Sequence, residues 1–439
     1  MEQTQLEQDK VLLLATTAGE MLLKNGAEIY RADEAVNRIC AACNISFVET
    51  FTTPSAIILS VGNDSTSARI GTVVKRINNR VIDLEKISLI THFIHKFVSK
   101  NMSVDEGLEA LKNIEASKSF SLFVRMLAII PTSFFLAMLN GSDLIGGLCA
   151  IFVGIISYAL SLGIERLRIN RFISIFISCT VAAGISLVLF SLGLGSSLSA
   201  IIVGAIIVFL PGVAITNAVR DLLAGDMLSG VARMAEACLT AIAIAGGVGI
   251  LLQMTPQIAT VIGANALRPE AITIWPVPLQ FIFAALGTIG IAIIVNIPRR
   301  YLVLVAVTSG CGWLAYTLAL NNITAASTLM GGLGTKPLAC FVGSCTIALI
   351  AELCTRATRD AATVFIIPSI FPFVPGTGML NTILRLLEDK VDAAIHTGLE
   401  TAFISGCIAV ALLVIISLTR VVRMGFSWIK EHVGRTAKV

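Results

Sequence analysis

The chain has 439 residues, of which 56% are hydrophobic and 14% are charged. Soluble domains average roughly 45–50% apolar and about 25% charged residues, so the composition argues against a wholly soluble or a disordered protein. Residues 1–119 contain 13 Lys and Arg and 15 Asp and Glu, whereas residues 120–439 contain 19 and 13. We therefore predict a soluble domain followed by a membrane domain. The basic excess lies in the apolar part, which argues against nucleic acid as a partner.

The first 119 residues predict a small α+β domain. Their acidic, polar start lacks the features of a secretory signal peptide, so we expect this domain to be cytoplasmic. Helical patterns cover 9–25, 28–43, 83–100 and 104–116, and runs of β-forming residues cover 47–51, 55–61 and 68–74. Cys40 and Cys43 form a C-x-x-C on a helical pattern without a βαβ context, which favours ordinary reduced thiols over a redox pair or a zinc site.

From residue 120 onwards, apolar runs of the length needed to cross a bilayer, about 20 residues, recur with short breaks. Ten spans are predicted, at 120–139, 144–162, 172–192, 198–222, 231–252, 277–297, 302–320, 337–354, 361–387 and 392–419. An even number places both ends of the membrane domain on one side of the membrane.

The basic residues predict which side this is. Fourteen of them lie on the side of the N-terminal domain: Arg166, Arg168, Arg171, Arg220, Arg233, Arg299, Arg300, Arg356, Arg359, Arg420, Arg423, Lys430, Arg435 and Lys438. The opposite loops contain four, which are Arg268, Lys336, Arg385 and Lys390. The positive-inside rule therefore predicts that the N- and C-termini are both cytoplasmic.

Two spans share a signature that indicates an internal repeat. Phe209–Asn217 aligns with Phe373–Asn381 at an offset of 164 residues, and the same offset relates Glu236 to Glu400. We therefore predict two five-helix repeats, 120–252 and 277–419, joined by an extracytoplasmic linker, 253–276, and followed by a basic cytoplasmic tail, 420–439. An odd number of crossings inverts the second repeat. The predicted fold class is thus an all-α membrane protein with ten transmembrane helices in two inverted repeats, preceded by the small cytoplasmic domain.

The signature also predicts a substrate site. A proline inside a span removes a backbone donor and breaks the helix, and a break at membrane depth offers helix ends to a polar solute. The predicted substrate-binding residues are Pro211, Gly212, Asn217, Pro375, Gly376 and Asn381, and an amino acid or a carboxylate would suit them. The alternative is a pair of simple proline kinks, which are common in membrane helices.

Two acidic residues inside apolar spans predict proton coupling. A carboxylate in hydrocarbon is costly, so Glu236 and Glu400 should each face a cavity or a partner, as a group that loads and releases protons would. The alternative is local pairing, of Glu236 with Arg233 and of Glu400 with His396. Glu352 and Asp360, beside Arg356 and Arg359, are interpreted as solvated ion pairs at a helix end.

No catalytic residues, metal ligands or cofactors are predicted. His92 and His95 share a helix face without an evident third ligand, and the Gly-rich stretches lack the Lys and Ser or Thr of a nucleotide-binding loop.

One stretch of the N-terminal domain resembles a known family. The segment Ala18–Arg31, followed by Asp33-Glu34 and by Phe51–Leu59, resembles the N-terminal signature of the threonine/serine exporter family. That family joins a cytoplasmic domain to ten membrane helices, in one chain or split over two polypeptides. The resemblance implies export of L-threonine and L-serine driven by the proton gradient, and some split relatives are associated with dicarboxylate export.

Together these observations predict a multi-pass secondary transporter of the inner (plasma) membrane that exports small hydroxy amino acids by proton antiport and is not an enzyme. Its partners would be the small-molecule substrate, protons and the lipid bilayer, and formation of a homo-oligomer stays open. The alternatives are a dicarboxylate (succinate-like) exporter, a passive channel, and a membrane-anchored enzyme with a catalytic N-terminal domain. The last is disfavoured because residues 1–119 contain no evident nucleophile–base–acid set.

Overall fold

A computed structural model describes residues 2–62, 71–78, 80–100, 102–117, 119–253, 275–326, 335–373, 376–387 and 389–436. The N-terminal domain contains four helices and three strands, in the order α1 (Glu2–Lys24), α2 (Ile29–Ala42), β1 (Phe47–Thr53), β2 (Ala56–Gly62), β3 (Gly71–Arg76), α3 (Leu84–Lys100) and α4 (Val104–Ala116). The predicted α+β organisation is confirmed. The first helix begins seven residues earlier than predicted, because the polar start is rich in good helix formers such as Glu, Gln and Leu.

The sheet is antiparallel, with β2 in the centre. The tight connection between β1 and β2 sets the register, in which Thr53 lies opposite Ala56 and Thr50 opposite Leu59. One face of β2 is buried through Ile57 and Leu59 and packs against the helices. At the start of α4, the hydroxyl of Ser103 accepts from the amide of Glu106 and the carboxylate of Glu106 accepts in return, which forms a capping box.

The remaining helices form a bundle of two units. Unit one contains α5 (Leu122–Leu139), α6 (Leu144–Arg166), α7 (Arg171–Ser191), α8 (Leu198–Ile206), α9 (Gly212–Leu223) and α10 (Met227–Gln253). Unit two contains α11 (Val277–Ile294), α12 (Leu302–Ala326), α13 (Thr335–Thr358), α14 (Ala362–Ile370), α15 (Gly376–Leu387) and α16 (Val391–Thr436).

Among the described residues, eight helices are long and apolar enough to cross a membrane, or up to ten if each of two bent helix pairs forms one span. The bent pairs are α8 with α9 and α14 with α15, and they correspond to the fourth and ninth predicted spans. The last helix, α16, has 46 residues and continues through the predicted tail as far as Thr436. Most of the predicted linker, residues 254–274, lies outside the described residues.

Three of the six corresponding helix pairs in the two units have equal lengths. The helices α5 and α11 have 18 residues each, α8 and α14 have nine, and α9 and α15 have twelve. The first residues of α8, α9 and α10 precede those of α14, α15 and α16 by 164 positions, which is the offset of the sequence signature.

Contacts at the helix ends define two faces of the bundle. At the N-domain face, Ser119 before α5 donates to Asp83, and Val295 after α11 accepts from the amide of Leu84, 3.1 Å away. At the far face, the indole of Trp275 before α11 donates to the carbonyl of Ser142 after α5, at 3.1 Å. The helices α5 and α11, which pack together, therefore run in opposite directions.

Each bent pair runs from one face to the other. The pair α8–α9 begins at the far face, where the amide of Ser196 donates to Asp143 after α5, and ends near Arg220, which contacts the N-terminal domain. The pair α14–α15 begins at the N-domain face, where Thr363 contacts the same domain, and ends at the loop before α16.

Candidate functional site

The first predicted break lies where α8 ends. Its last turn tightens into a 3₁₀ helix at Ile207–Phe209, and α9 starts after Pro211, at an angle of 58°. Both Pro211 and Gly212 are buried, and no side chain caps the amides of the first turn of α9. Because the first amides of a helix have no acceptor within the helix, this turn carries a partial positive charge.

The second break repeats the first. The helix α14 ends in a 3₁₀ turn at Phe371–Phe373, and α15 starts at Gly376, with an angle of 44° between the two segments. Pro375 lies outside the described residues. Gly378 packs so closely on α16 that an added methyl group would overlap the Thr401 hydroxyl. The two breaks predicted from Pro-Gly therefore occur at corresponding places in the two units.

The half-helices that follow the breaks pack against the same two helices. The helix α9 packs against α10 of its own unit and against α16 of the other, and α15 packs against α16 and α10 in the same way. Asn217 and Asn381 lie in the middle of these half-helices and are half-buried, and the side chain of neither forms a hydrogen bond with another described residue.

An aromatic cluster that the sequence analysis missed lies beside the second break. The ring of Phe373 stacks on Tyr316, with centroids 5.9 Å apart, and Trp313 lies 5.1 Å from Tyr316. The buried side chain of Gln280 accepts from the Trp313 indole at 3.1 Å. Trp313 and Tyr316 are three residues apart and so share a helix face, which is the signal that could have revealed the cluster.

Glu236 is the tenth residue of α10 and lies near the N-domain face. Its carboxylate is 2.7 Å from the Arg80 guanidinium of the N-terminal domain and 3.6 Å from that of Arg171, the first residue of α7. About a third of its side chain is exposed. The partner considered in the sequence analysis, Arg233, instead pairs with Asp221 at 3.2 Å.

Glu400 is the tenth residue of α16 and lies near the far face. Its carboxylate is 3.2 Å from the ammonium group of Lys336, the second residue of α13. His396, the other partner considered, forms no ion pair with it. In both units, therefore, an acid in the last helix pairs with a basic residue at the start of the third helix, and the two ion pairs lie at opposite faces.

The N-domain face contains a further charged group that the sequence did not reveal. Glu28, just before α2, is 3% exposed and contacts Arg31, Arg220 and Thr363. Although burial alone would raise the pKa of Glu28, the charges of Arg220 and Arg31 outweigh it and hold this pKa well below its ordinary value. Two features of the sequence could have revealed this group: an acid at a helix start, and a charged pair, Arg220-Asp221, inside an apolar run.

The position of Asp360 contradicts one interpretation of the sequence. We expected it in a solvated ion pair, but its side chain is fully buried and accepts from the hydroxyl of Ser88 in α3. Arg300 and His92 lie 3.6 and 3.9 Å from the same oxygen. Arg356 does pair with Glu352, at 3.3 Å, but Glu352 is buried as well and so is not solvated. Asp360 therefore belongs to the contact between the N-terminal domain and the bundle.

Burial raises the pKa of Cys40 in α2 to about 12, which keeps the thiol protonated near neutral pH. Among the described residues, no three His, Cys, Asp or Glu side chains lie close enough together to hold a metal ion.

Two family models match the chain. The model described as "Putative threonine/serine exporter" matches residues 13–255, and the model described as "Threonine/Serine exporter, ThrE" matches residues 280–418. The chain belongs to the threonine/serine exporter family. The resemblance carried by Ala18–Arg31 is thereby confirmed, and the two matches together cover the N-terminal domain and most of both bundle units.

Relatives of this exporter-family chain carry two kinds of name. A "Probable threonine/serine exporter" of Mycobacterium tuberculosis is 21% identical over 402 residues, which are 90% of this chain and 73% of the relative. The "Probable succinate transporter subunit YjjP" of Klebsiella aerogenes is 24% identical over 58% of this chain and 97% of its own length. Its Escherichia coli counterpart is 24% identical over 57% and 95%. No solved structure matches the chain. The family and the apolar helices identify a multi-pass membrane transporter.

Proposed function

We propose that this protein exports L-threonine and L-serine across the plasma membrane by alternating access, in exchange for protons. One observation carries the proposal: two bent helix pairs, 164 residues apart, run in opposite directions between the two faces, and their second halves pack into the same group of helices. Discontinuous helices that meet at the interface of two repeats form the solute sites of many secondary transporters.

The two units are proposed to be inverted repeats. Three features support this: the opposite directions of α5 and α11, the equal lengths of three pairs of corresponding helices, and the ion pairs of Glu236 and Glu400 at corresponding positions but opposite faces. Inversion allows one unit to rock against the other, so that closing one face opens the other.

The solute is proposed to bind between the two breaks. The uncapped start of α9 at Pro211 and Gly212 would hold a carboxylate, and Pro375 and Gly376 would supply the second helix end. Asn217 and Asn381 would bind the ammonium and hydroxyl groups of threonine through their side-chain amides, which can both donate and accept.

Glu236 and Glu400 are proposed to exchange the protons. Protonation of either carboxylate removes the charge that holds its basic partner, so that binding a proton weakens the ion pair at one face. The double variant Glu236→Gln, Glu400→Gln should keep exchange of labelled solute but lose acceleration of transport by a pH gradient. Normal acceleration in this variant would remove both acids from the coupling mechanism.

The N-domain face is proposed to be cytoplasmic, with both chain termini on that side. Fourteen basic residues of the membrane domain and its tail are predicted there and four on the opposite side, which matches the positive-inside rule.

Counterflow in proteoliposomes tests the function. Vesicles loaded with unlabelled threonine or serine should accumulate labelled threonine in a saturable manner. Asn217→Ala and Asn381→Ala should raise the half-saturating concentration, whereas Asn322→Ala, at an exposed position of α12, serves as the matched control. Non-saturable flux would indicate a passive channel, and absence of counterflow with every solute tested would overturn the proposal.

A dicarboxylate exporter is the second candidate, favoured by the similarity to the two proteins named as succinate transporter subunits. One carboxylate of such a solute would bind at each of the two helix starts, so that both breaks would have the same role. Succinate counterflow in the same vesicles, with no response to threonine or serine, would select this candidate.

A further inference from the structure

The carboxylate of Glu28 belongs to the N-terminal domain but is buried among groups of the bundle. The guanidinium of Arg220 donates to its Oε1 atom, and the hydroxyl of Thr363 lies 2.8 and 2.9 Å from its two oxygens. On its own helix, the Nε atom of Arg31 lies 2.7 Å from Oε2. Glu28 is therefore a bound carboxylate, held by groups from both bundle units.

The positions of its two bundle partners make this contact unusual. Arg220 lies in the last turn of α9, and Thr363 lies in the first turn of α14. Both residues thus belong to the bent pairs, at the ends that meet the N-domain face. A buried guanidinium, a hydroxyl group and a helix N-terminus are the groups that bind carboxylates in proteins.

We infer that Arg220 and Thr363 form a carboxylate-binding site at the N-domain end of the transport path. In the present structure Glu28 fills this site, and the carboxylate of an amino acid or of a dicarboxylate takes its place when the start of α2 moves away. The inference rests on the proposed function, because it gives that function an entry site and a segment that closes it.

The charges around the site favour replacement of Glu28 by another carboxylate over departure of Glu28 alone. When Glu28 leaves, its charge remains paired with Arg31, which moves with it on α2. Arg220 would then be a buried cation without its partner, which is costly until another carboxylate arrives. The adjacent acid, Asp221, is already paired with Arg233, 3.2 Å away. A ligand with a carboxylate therefore stabilises the state in which Glu28 has left the site.

The test is equilibrium binding to the full-length protein in detergent, with and without Glu28→Gln. The probes are L-threonine, succinate and L-threoninamide, which keeps the ammonium and hydroxyl groups of threonine but lacks its carboxylate. If Glu28 vacates the site about one-tenth of the time, its removal lowers the apparent Kd of a carboxylate probe about tenfold. Threoninamide should bind equally to both proteins. Glu34→Gln, in an exposed i,i+4 pair on the same helix, is the matched control and should change neither probe.

Two further variants keep the test decisive if Glu28→Gln fails to fold. Glu28→Asp keeps the charge but withdraws it by one methylene, so it should lower the Kd of the carboxylate probes by a smaller factor. Thr363→Val combined with either Glu28 variant should raise the Kd again by about tenfold, because the hydroxyl that binds the carboxylate is lost.

The possible outcomes distinguish failure of the proposed carboxylate site from failure of the proposed transport function. A fall in Kd that is equal for threonine and threoninamide would show that the N-terminal domain is merely loosened, and would overturn the carboxylate site. Unchanged Kd values with normal counterflow would also overturn the site while the transport function stands. Glu28-dependent binding of a carboxylate by a protein without counterflow would support the site and overturn the transport proposal.

Discussion

Glu28 connects the N-terminal domain to two bundle helices that are far apart in sequence. Its partners Arg220 and Thr363 follow it by 192 and 335 residues, so no local pattern could reveal the contact. The side chain is almost fully buried, and its charge is balanced only by the neighbouring guanidinium groups. Removing one partner of such a group leaves the other as a buried, uncompensated charge.

This burial predicts a pH-dependent effect of Glu28→Gln on stability. The substitution should lower the free energy of unfolding at pH 7 by up to about 3 kcal/mol. The pKa of Glu28 is depressed in the folded protein, so its contribution is complete above the unfolded-state pKa of about 4.3 and is lost as the pH falls below it. The difference in thermal unfolding midpoint between wild type and variant should therefore be constant from pH 8 to 6 and shrink below about pH 4.

The exposed variant Glu34→Gln controls for general effects of charge removal on α2. A difference between wild type and Glu28→Gln that grows on acidification would contradict the assignment of a charged Glu28 in the folded protein.

The candidate residues differ in how far the sequence could predict them. Glu236 and Glu400 were predicted because an acid in an apolar run is conspicuous. Their actual partners, Arg80, Arg171 and Lys336, come from other segments and were missed, since helical spacing suggests only neighbours three or four residues away. Asp360 was misplaced for the same reason: its partner Ser88 lies 272 residues earlier.

At the element scale, the Pro-Gly signature predicted where the two long apolar runs break. The bend angles and the packing of α9 on α16 and of α15 on α10 were not predictable, because they depend on contacts between units. Close packing is evident at Gly378 in α15. The Thr401 hydroxyl that faces it is held by a hydrogen bond to the Thr397 carbonyl, at 2.6 Å.

Gly378→Ala should therefore push α15 away from α16. An added methyl group would overlap the Thr401 hydroxyl, and moving this hydroxyl away would break its hydrogen bond to the Thr397 carbonyl. Overpacking of this kind costs about 1–3 kcal/mol. We expect a lower thermal unfolding midpoint and a raised half-saturating concentration in counterflow.

Gly406→Ala is the matched control, because an added methyl group at this position of α16 meets no atom within 4 Å. It should leave both measurements unchanged. Equal effects of the two substitutions would show that helix propensity, and not the contact between α15 and α16, determines the response.

The N-terminal domain and the bundle are joined by several polar contacts. The acids of three segments, Glu28, Asp83 and Asp360, all take part in the contact between them, and Arg80 extends it to Glu236. The sequence predicted the helices and strands of this domain but not its docking on the ends of the bent pairs. An α+β pattern with its own core gives no indication of what its surface binds.

The proposed inversion predicts that equivalent substitutions in the two units act in opposite directions. Glu236→Gln weakens ion pairs at the N-domain face, and Glu400→Gln weakens the pair with Lys336 at the far face. If one face closes as the other opens, the first variant should favour the state that is open at the N-domain face and the second the state that is open at the far face. The rates at which a membrane-impermeant maleimide labels Asn217→Cys from each side report these populations, in a background without other reactive thiols.

Labelling from the side of the N-terminal domain should therefore rise with Glu236→Gln and fall with Glu400→Gln, and labelling from the opposite side should change in the reverse sense. Glu165→Gln, at the exposed end of α6, is the control for removal of an acidic charge from the bundle. Changes in the same direction for both variants would be incompatible with two inverted units that share one solute site, because only inversion makes corresponding ion pairs hold opposite faces closed.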